Sequence, residues 1–462
     1  MEINVIELLK KIKEDENAQV SNYLENEHRI FAIYTLQQRA IPYFNGLKPV
    51  QQRILWKTRT QKDFEKVAKL TGMVMSIHPH GDASISEAIS QMTGPFCNNE
   101  PFFDGDGAFG TKIAPTSFGQ ARYISARQNN FTKDVVFRDW EIVEMIPTYD
   151  EKEEEPYLLL PLVPVLLLNG IQGIATGYST YILPRDLKDL IDRQILHLQG
   201  KEIDNPLPYS KPIDNRAVRD DDNPNKYYFF GEVEILDTSK ARITKLPFGM
   251  SHADLLKKLS KLIEKHKIRD YVDKSRKEID IVVTFKKSAL KGKKPEHVIR
   301  TLGLYTSATE RIVVLEPNNS KTIEEYNAVE FIKDYTDWRL SFYPKRYERL
   351  IKLNEEEIKK LNDIIVAIEN DLGKKARDVK NKSELKIICE NLGICDTEYI
   401  SSLPLYRFTI EEYEKTKNRI AELEKEIEEY KKIIADIDLQ KRIYIDELKE
   451  IRKKYCKQKG KK

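Results

Sequence analysis

Residues 37–55 read QQRAIPYFNGLKPVQQRIL, and this stretch predicts a turn that leads into a helix. The dipeptide Asn45-Gly46 favours a tight turn, and a helical pattern of apolar positions follows it. Cationic side chains lie on both sides of the turn: Arg39, Lys48 and Arg53. A turn that leads into a helix with cations around it predicts a helix-turn-helix whose surface faces phosphate groups.

The segment IHPHGD, residues 77–82, adds two histidines that flank a proline, His78 and His80. Two imidazoles can ligate a metal, but a stable site needs three or four ligands, and no other histidine lies nearby in the sequence. We interpret the pair as packed or hydrogen-bonded structural histidines, with phosphate contact as the alternative. Combined with the cations around the turn, they favour a phosphate-facing surface.

Residues 117–127, SFGQARYISAR, set Tyr123 directly after Arg122 and four residues before another arginine. A free phenol has a pKa of about 10 and attacks phosphorus poorly unless cations stabilise the phenolate and the transition state. Arg122, with cations from elsewhere, would supply that charge, and the reaction would exchange a phosphodiester for a phosphotyrosine ester. The alternative is an ordinary tyrosine in the core or at its rim, one of 23 in the chain.

The backbone at this tyrosine must also turn if the chemistry is to work. A regular strand would point Arg122 and Tyr123 to opposite faces. Both side chains reach one phosphate only if the chain bends between them, and Gly119 in the preceding loop favours such a bend.

The pattern GDGAFG, residues 105–110, matches a dinucleotide fingerprint but lacks its context. That fingerprint follows an apolar strand and opens a helix, whereas polar and proline-containing segments flank this one. Asp104 and Asp106 begin like a calcium loop, but Pro115 stands where a bidentate glutamate is needed. We therefore predict neither nucleotide nor calcium binding here, and no metal ligands elsewhere in this chain.

The composition bounds the class of protein. The 462 residues suffice for about three domains. Lys and Arg number 77 against 74 Asp and Glu, so the net charge of +3 does not by itself indicate nucleic-acid binding, and any basic surface must be local. The longest apolar run, residues 157–170, contains two prolines and is too short to span a bilayer, which predicts buried strand and loop. Without a signal-peptide pattern, we expect a cytoplasmic protein with four reduced cysteines.

The chain divides into segments of different pattern, which predict a multidomain α+β fold. An amphipathic helical arm is expected at residues 1–26, a compact mixed domain at 27–165 and a second, α/β domain at 166–335. Within the first domain, residues 135–146 have strand-like alternation, and the acidic run at 150–156 indicates a solvated turn. The second domain contains a helical apolar stripe: Leu255, Leu256, Leu259, Leu262 and Ile263.

Residues 336–455 are rich in Glu, Lys, Ile and Leu. They contain two seams of apolar residues in which the spacing alternates between three and four positions. The longer seam comprises Ile420, Leu423, Ile427, Tyr430, Ile434 and Ile437, and the shorter one Ile358, Leu361, Ile365 and Ile368. An insert at about 376–409 lies between them and reverses the chain. This predicts two long helices folded back on one another, rather than a single extended rod, and a basic tail follows at 456–462.

Five motifs in order resemble the breakage-reunion subunit of type IIA DNA topoisomerases, the gyrase A and topoisomerase II family. They are GLKPVQQRIL, HPHGD, DGDGAFG, ARY and NGIQGIATGYS, between Arg39 and Ser179, and YISSLPLYRFT with its flanking coils extends the match to nearly the whole chain. Within the family, the short chain most resembles split, phage-type members. Gln51 and Gln52 depart from the pattern, because relatives often carry a basic side chain there, which predicts a weaker phosphate grip.

The resemblance implies a fold and a role for each motif. The domain at 27–165 would be a winged-helix DNA-cleavage domain, the one at 166–335 a tower domain, and the C-terminal helices a long antiparallel coiled coil with a globular dimer gate. Tyr123 would attack a DNA phosphate and hold the broken 5′ end, while Arg122 binds that phosphate. Ile174 would wedge between base pairs and bend the duplex. The remaining phosphate-binding residues would be Arg39, Lys48, Arg53, His78 and His80.

The resemblance also implies partners. We expect double-stranded DNA, a homodimer, and a separate subunit that binds ATP and Mg²⁺, because the sequence contains no recognisable ATP-binding domain or acidic magnesium module. Since the sequence ends before a DNA-wrapping domain, relaxation is expected rather than supercoiling. The alternatives are a non-catalytic DNA-bending scaffold and a tyrosine recombinase, which would form a 3′-linked adduct.

Overall fold

The predicted turn at Asn45 and Gly46 is present, and a helix, Pro49–Thr58, follows it. The structure is a computed structural model that describes residues 23–317 and 322–456. Most of the expected N-terminal arm and nearly all of the basic tail therefore lie outside the described residues. Gly46 has a φ of +89°, and a Cβ built on it would lie 2.5 Å from the Leu166 backbone nitrogen, so only glycine fits this turn.

The chain forms two compact units, and the first contains the described residues up to Asp337 together with those from Glu447 onward. Its N-terminal helical segment consists of Leu24–His28, Arg29–Thr35 and Leu36–Ala40. Three further helices are Pro49–Thr58, Val67–Met75 and Asp82–Thr93. They contribute buried apolar side chains to one core: Ile54, Leu55, Val67, Leu70, Val74, Ile85 and Ile89.

A three-stranded antiparallel sheet accompanies these helices. Its central strand is Ser125–Gln128, with Glu65–Lys66 on one side and Phe103–Asp106 on the other. Phe103 pairs with Gln128 and Lys66 with Ser125. The GDGAFG segment therefore belongs to an edge strand and the loop after it, not to a strand-to-helix turn.

Two segments predicted as strands are mainly something else. Residues 135–146 contain the end of a helix, Asn130–Val135, and a 3-10 turn, Trp140–Ile142; only Met145–Pro147 is a strand, paired with Glu154–Pro156. The apolar run at 157–170 is buried irregular chain that ends in a helix, Val165–Asn169. Apolar periodicity reports burial and not the backbone conformation, and the two prolines of that run cannot join a central sheet ladder.

A β-hairpin follows, formed by Ile171–Ile174 and Ser179–Ile182. A bidentate ion pair between Arg185 and Glu310 supports its base; Arg185 is fully buried, and Glu310 Oε1 also accepts from the Leu183 amide at 2.9 Å. The buried charges of Arg185 and Glu310 are thus paired with each other, as buried charges must be. The helix Leu187–Leu198 comes next, with Asp186 as its N-cap.

The predicted alternation of strands and helices between residues 166 and 335 is only partly observed, because six strands between Tyr209 and Lys245 follow one another without a helix. The main sheet has four antiparallel strands in the order Glu232–Ile235, Lys240–Lys245, Ile281–Thr284 and Asp270–Asp273. Smaller sheets contain Tyr209–Ser210, Asn215–Arg216, Val218–Arg219, Lys226–Phe230 and Tyr305–Thr309, and a separate pair is Ile312–Leu315 with Ile323–Tyr326. The helices are His252–Glu264, Pro295–Leu302 and Ala328–Leu340.

The predicted helical stripe lies in the helix His252–Glu264 and faces the four-stranded sheet. Leu255 and Leu259 are fully buried, and the other three stripe residues pack partly buried against the same cluster. Ser251 caps this helix by accepting from the Asp254 amide. The stripe is thus the core of this part of the unit.

The second unit comprises Trp338–Asp446. Its two long helices, Tyr343–Glu369 and Ile410–Ala435, are antiparallel, because pairs between them run in opposite order along the two helices: Tyr347 with Tyr430, Asn354 with Glu426, Arg419 with Glu357 and Tyr413 with Glu369. Between them lie short helices, Leu372–Asp378, Lys382–Asn391 and Thr397–Ser402, and a 3-10 turn, Leu405–Phe408. The predicted chain reversal is therefore confirmed.

The longer seam was predicted to continue to Ile437, which is beyond the end of the helix that contains it. The helix ends at Ala435, and a new one, Ile437–Tyr455, begins after Asp436, whose carboxylate accepts from the amides of Asp438 and Leu439. Ile437 is 57% exposed and does not belong to the buried seam. The N-capping aspartate interrupts a pattern that heptad spacing alone would continue.

No helix in the described ranges is both long and apolar enough to cross a membrane. The four cysteines are free thiols, as predicted.

Replacement of Gly46 by alanine tests how strictly the turn is constrained. The new Cβ would meet backbone atoms of Leu166 and also impose strain at positive φ, so we expect a cost of about 3 kcal/mol or more. Urea unfolding followed by the fluorescence of Trp56 and Trp140 measures it. Gly177→Ala is the matched control, since Gly177 has a φ of +80° but open space around it, and should cost only about 1 kcal/mol. Equal costs would show that the close approach does not constrain residue 46.

Candidate active site

A cleft of about 1210 Å³ gathers five of the predicted site residues in the first unit. Its lining includes Arg39, Lys48, His78, His80 and Ile174. They come from the helical segment that ends at residue 40, the turn before Pro49, the loop before the helix Asp82–Thr93 and the hairpin at 171–182. Tyr123 and Arg122 do not line this cleft.

His80 lies at the centre of a polar contact network on one wall of the cleft. The Arg39 guanidinium approaches His80 Nδ1 at 3.0 Å, and the Tyr34 hydroxyl lies 3.0 Å from His80 Nε2. Burial lowers the pKa of His80, and the charges of Arg39 and Arg53 lower it further. The imidazole is therefore neutral at physiological pH, and Arg39 supplies the positive charge. Tyr34 is a contact that sequence reasoning missed, because no motif includes it.

His78 is held from behind by Arg53. Arg53 Nη1 lies 3.1 Å from His78 Nδ1, while its Nε and Nη2 donate to the two oxygens of Glu155 at 2.6 and 2.8 Å. Burial, and then the charges of Arg53, His80 and Arg39, lower the pKa of His78 to about 3. His78 is thus an uncharged acceptor for Arg53.

The structure corrects two expectations about this pair. Arg53 is only 9% exposed and its guanidinium is occupied by Glu155, so it is not available as a direct phosphate contact. Glu155 was expected in a solvated turn, but it lies in the strand Glu154–Pro156 and is 5% exposed. A buried arginine needs a counter-charge, and this acidic run supplies it from a distant part of the sequence.

Lys48 contacts the hairpin that carries Ile174. Its Nζ donates to the Gln172 carbonyl at 2.7 Å, and burial lowers the pKa of Lys48. At Gly173, a Cβ would lie 1.9 Å from the Ala40 carbonyl oxygen, so only glycine permits this approach. The hairpin is thereby held against the turn, and Ile174 projects from it with 74% of its surface exposed.

Gln51 and Gln52 have structural roles that account for the departure at these positions. Gln51 Oε1 accepts from the Lys48 amide at 2.9 Å and caps the helix. Gln52 is 5% exposed, and its amide nitrogen donates to the carbonyls of Pro156 and Tyr157. A basic side chain at 52 would have to be buried among carbonyls.

Tyr123 lies on a turn, as its proposed chemistry requires. Residues 121–123 form a turn just before the strand Ser125–Gln128, and the Tyr123 amide donates to the Gln120 carbonyl at 2.8 Å. The next residue, Ile124, is buried against two glycines. Tyr123 itself is 69% exposed, and the Arg122 guanidinium lies 5.8 Å from its ring centroid. The phenol is therefore accessible to a large substrate and has a cation beside it.

Within residues 23–317 and 322–456, no three His, Cys, Asp or Glu side chains come together in a way that would hold a metal ion.

Known proteins are similar to this chain in sequence and in fold. A sequence model of the gyrase A protein family, which covers DNA gyrase and topoisomerase IV, matches residues 39–449. The chain is similar to the DNA topoisomerase medium subunit of Enterobacteria phage T4, with 30% identity over 73% of this chain and 78% of that protein. It is also similar to the gyrase A protein of Campylobacter jejuni, with 27% identity over 97% of this chain and 55% of that protein. The chain thus spans about half the length of such gyrase proteins.

The fold has a counterpart among solved structures. The DNA-binding, cleavage and re-ligation domain of Plasmodium falciparum topoisomerase II superposes with a TM-score of 0.80 at 23% sequence identity, over 92% of this chain and 64% of that one. At this identity the likeness concerns the fold.

Neutralising Glu155 tests the support beneath His78. Glu155→Gln leaves the buried Arg53 without its counter-charge, and we expect a loss of about 3 kcal/mol in the free energy of unfolding. Glu153→Gln is the matched control, because Glu153 pairs with Lys57 while 46% of its side chain is exposed, and should cost less than about 1 kcal/mol. Urea unfolding of both variants decides the point, and a Glu155 variant as stable as the control would contradict it.

Proposed function

The chain belongs to the gyrase A family of DNA gyrase and topoisomerase IV, and from this premise we propose that it is the DNA-breakage and rejoining subunit of an ATP-dependent type IIA topoisomerase. The observation that carries the proposal is the exposed Tyr123 on a turn, with Arg122 beside it. A structural tyrosine has no need for this exposure or for a neighbouring cation. The function is to cut a duplex, let a second duplex through and reseal the first, so that DNA is relaxed or decatenated.

The chemistry is a pair of transesterifications. The phenolic oxygen of Tyr123 attacks a backbone phosphorus and gives up its proton, the bond from phosphorus to the 3′ oxygen breaks, and that oxygen leaves as a 3′ hydroxyl. The 5′ phosphate remains on the tyrosine. Arg122 stabilises the negative charge that accumulates on the phosphoryl oxygens. Resealing is the reverse reaction and restores both the phosphodiester and the phenol.

The cleft residues bind the duplex around the cut. Arg39 supplies a charge for phosphate, and the neutral His80, whose ring nitrogens contact Arg39 and Tyr34, holds that guanidinium in place. Lys48 lies close enough to the same surface to contact the backbone. His78 and Arg53 act one layer deeper, where Arg53 orients His78. Cations that displace counterions from DNA make binding salt-dependent.

Ile174 bends the duplex. It is an apolar side chain with 74% of its surface exposed at the end of a strand. Inserted between base pairs, such a wedge unstacks one step and kinks the DNA. The Lys48 contact and the close packing of Gly173 hold the hairpin against the force of insertion.

Two copies of the chain act together, because one tyrosine cuts one strand. The first unit then contributes a winged-helix cleavage domain and a tower domain, and the antiparallel helices of the second form a coiled coil that ends in a dimer gate. The exposed apolar residue Ile387 lies in the insert between the long helices, on the helix Lys382–Asn391. This is the kind of residue that a contact between copies would cover.

ATP hydrolysis and Mg²⁺ come from a separate subunit in this proposal. The similar phage protein carries the name medium subunit, which implies further subunits. The chain is therefore active only with its partner, on double-stranded DNA in the cytoplasm, which is the host cytoplasm if the chain is encoded by a phage.

Replacing the nucleophile tests the function. With the partner subunit, ATP and Mg²⁺, the wild-type chain should form denaturant-resistant 5′-linked adducts with end-labelled DNA, and Tyr123→Phe should form none because it lacks the attacking oxygen. Its DNA affinity should remain within about twofold, since a phenol is not a phosphate-binding group. Tyr149→Phe is the control, as Tyr149 is another exposed tyrosine of this unit.

Three results would contradict the proposal. Adducts with Tyr123→Phe would mean that another residue is the nucleophile. DNA binding without any adduct from the wild-type complex would favour the non-catalytic scaffold. A 3′-linked adduct would favour a tyrosine recombinase.

A further inference from the structure

The segment 65–68 braces the turn that carries Tyr123. It begins with the strand Glu65–Lys66 and continues into the first turn of the helix Val67–Met75. Three carbonyls of the tyrosine turn accept hydrogen bonds from it: Ala121 O from the Ala68 amide at 3.1 Å, Tyr123 O from Lys66 Nζ at 3.1 Å and Ile124 O from the Val67 amide at 3.0 Å. These three hydrogen bonds thus hold the tyrosine turn from residue 121 to residue 124.

These three bonds differ in what they demand of the sequence. The amides of Val67 and Ala68 belong to the first helical turn, where amides have no partner within the helix, and any residue other than proline would supply them. The bond to the Tyr123 carbonyl comes from a side chain, and only a long cationic donor at residue 66 reaches it. We infer that Lys66 is a positioning residue for Tyr123, an inference that rests on the proposed function.

The physical reason lies in the exposure of the tyrosine. A ring that is 69% exposed has little packing to orient it, so its direction depends on the backbone from which it leaves. The Lys66 side chain donates to the carbonyl of Tyr123 itself. The Lys66 backbone is fixed by its strand pairing with Ser125, which lies two residues after Tyr123. Attack on phosphorus requires alignment with the leaving oxygen, and a small misplacement reduces the rate strongly.

The loss of this bond should not unfold the protein. Lys66 is exposed and its hydrogen bond lies at the surface, while the buried Ile124 and the two amide bonds still hold the turn. A merely structural lysine would therefore leave the rate unchanged. A phosphate-binding lysine would change the affinity for DNA, and the two roles can be separated.

The experiment measures single-turnover adduct formation at saturating DNA in the complete complex. Lys66→Met removes the donor but keeps the length of the side chain, and we expect the rate to fall about tenfold. Lys66→Arg restores a donor and should return to within about threefold of the wild-type rate. Lys69→Met is the matched control, because Lys69 is an exposed lysine on the adjoining helix Val67–Met75 that pairs with Glu65, and it should cleave at the wild-type rate.

Affinity is measured with Tyr123→Phe present, so that no covalent step contributes. The double variant with Lys66→Met should bind DNA as tightly as Tyr123→Phe alone and with the same salt dependence. Its thermal midpoint should also match, which shows that the turn is not unfolded. If Lys66→Met is unstable, Lys66→Gln, which keeps a shorter polar donor, is measured in its place and should also cleave about tenfold more slowly.

The possible failures are distinct. If the wild-type complex forms no adduct, the proposed function fails and this inference fails with it. If the wild type forms adducts and Lys66→Met is equally fast, only the inference is overturned. It is also overturned if the loss of rate is matched by a loss of affinity, because Lys66 would then be a phosphate contact, or if Lys66→Arg is as slow as Lys66→Met.

Discussion

The buried ion pair between Arg53 and Glu155 is the interaction on which the site depends. It joins the helix Pro49–Thr58 to the strand Glu154–Pro156 with two short hydrogen bonds, and the third arm of the guanidinium holds His78. Two charges removed from water need each other, so the pair specifies how the helix and the strand meet. The ion pair therefore positions the cleft wall that contains His78.

Electrostatics within the cleft follow from this arrangement. Arginine charges lie beside both histidines, and an imidazolium next to a guanidinium would add repulsion to the cost of burial. Both imidazoles are therefore neutral, with lowered pKa values. The positive charge beside the histidines comes from Arg39 and Arg53, while the histidines contribute hydrogen-bonding nitrogens that remain uncharged near neutral pH.

The tyrosine turn solves a different problem from the cleft wall. A nucleophile for a large substrate must be exposed, and exposure removes the packing that would otherwise orient it. Here the backbone around Tyr123 is constrained instead, by the buried Ile124 on one side and by hydrogen bonds from residues 66–68 along the turn. Ile174 has the same character, an exposed apolar residue on a hairpin that Lys48 and Gly173 hold in place.

The elements whose signals are local are predictable from the amino-acid sequence alone. The turn at Asn45 and Gly46, the helical stripe around Leu255 and the reversal between the two long helices all depend on neighbours within a few turns. So does the bend at Tyr123. The order of the motifs also identified the family. These features are readable because backbone preference and periodicity act over short distances.

Which charged side chains are free to bind a ligand depends on tertiary packing. Arg53 looked like Arg39 in the sequence, yet its partner Glu155 lies 102 residues away in an acidic run that resembled a solvated turn. The contacts of Tyr34 with His80 and of Lys66 with the Tyr123 carbonyl have no motif either. Whether a cation meets solvent, a carboxylate or a carbonyl is set by long-range packing, which spacing along one chain does not encode.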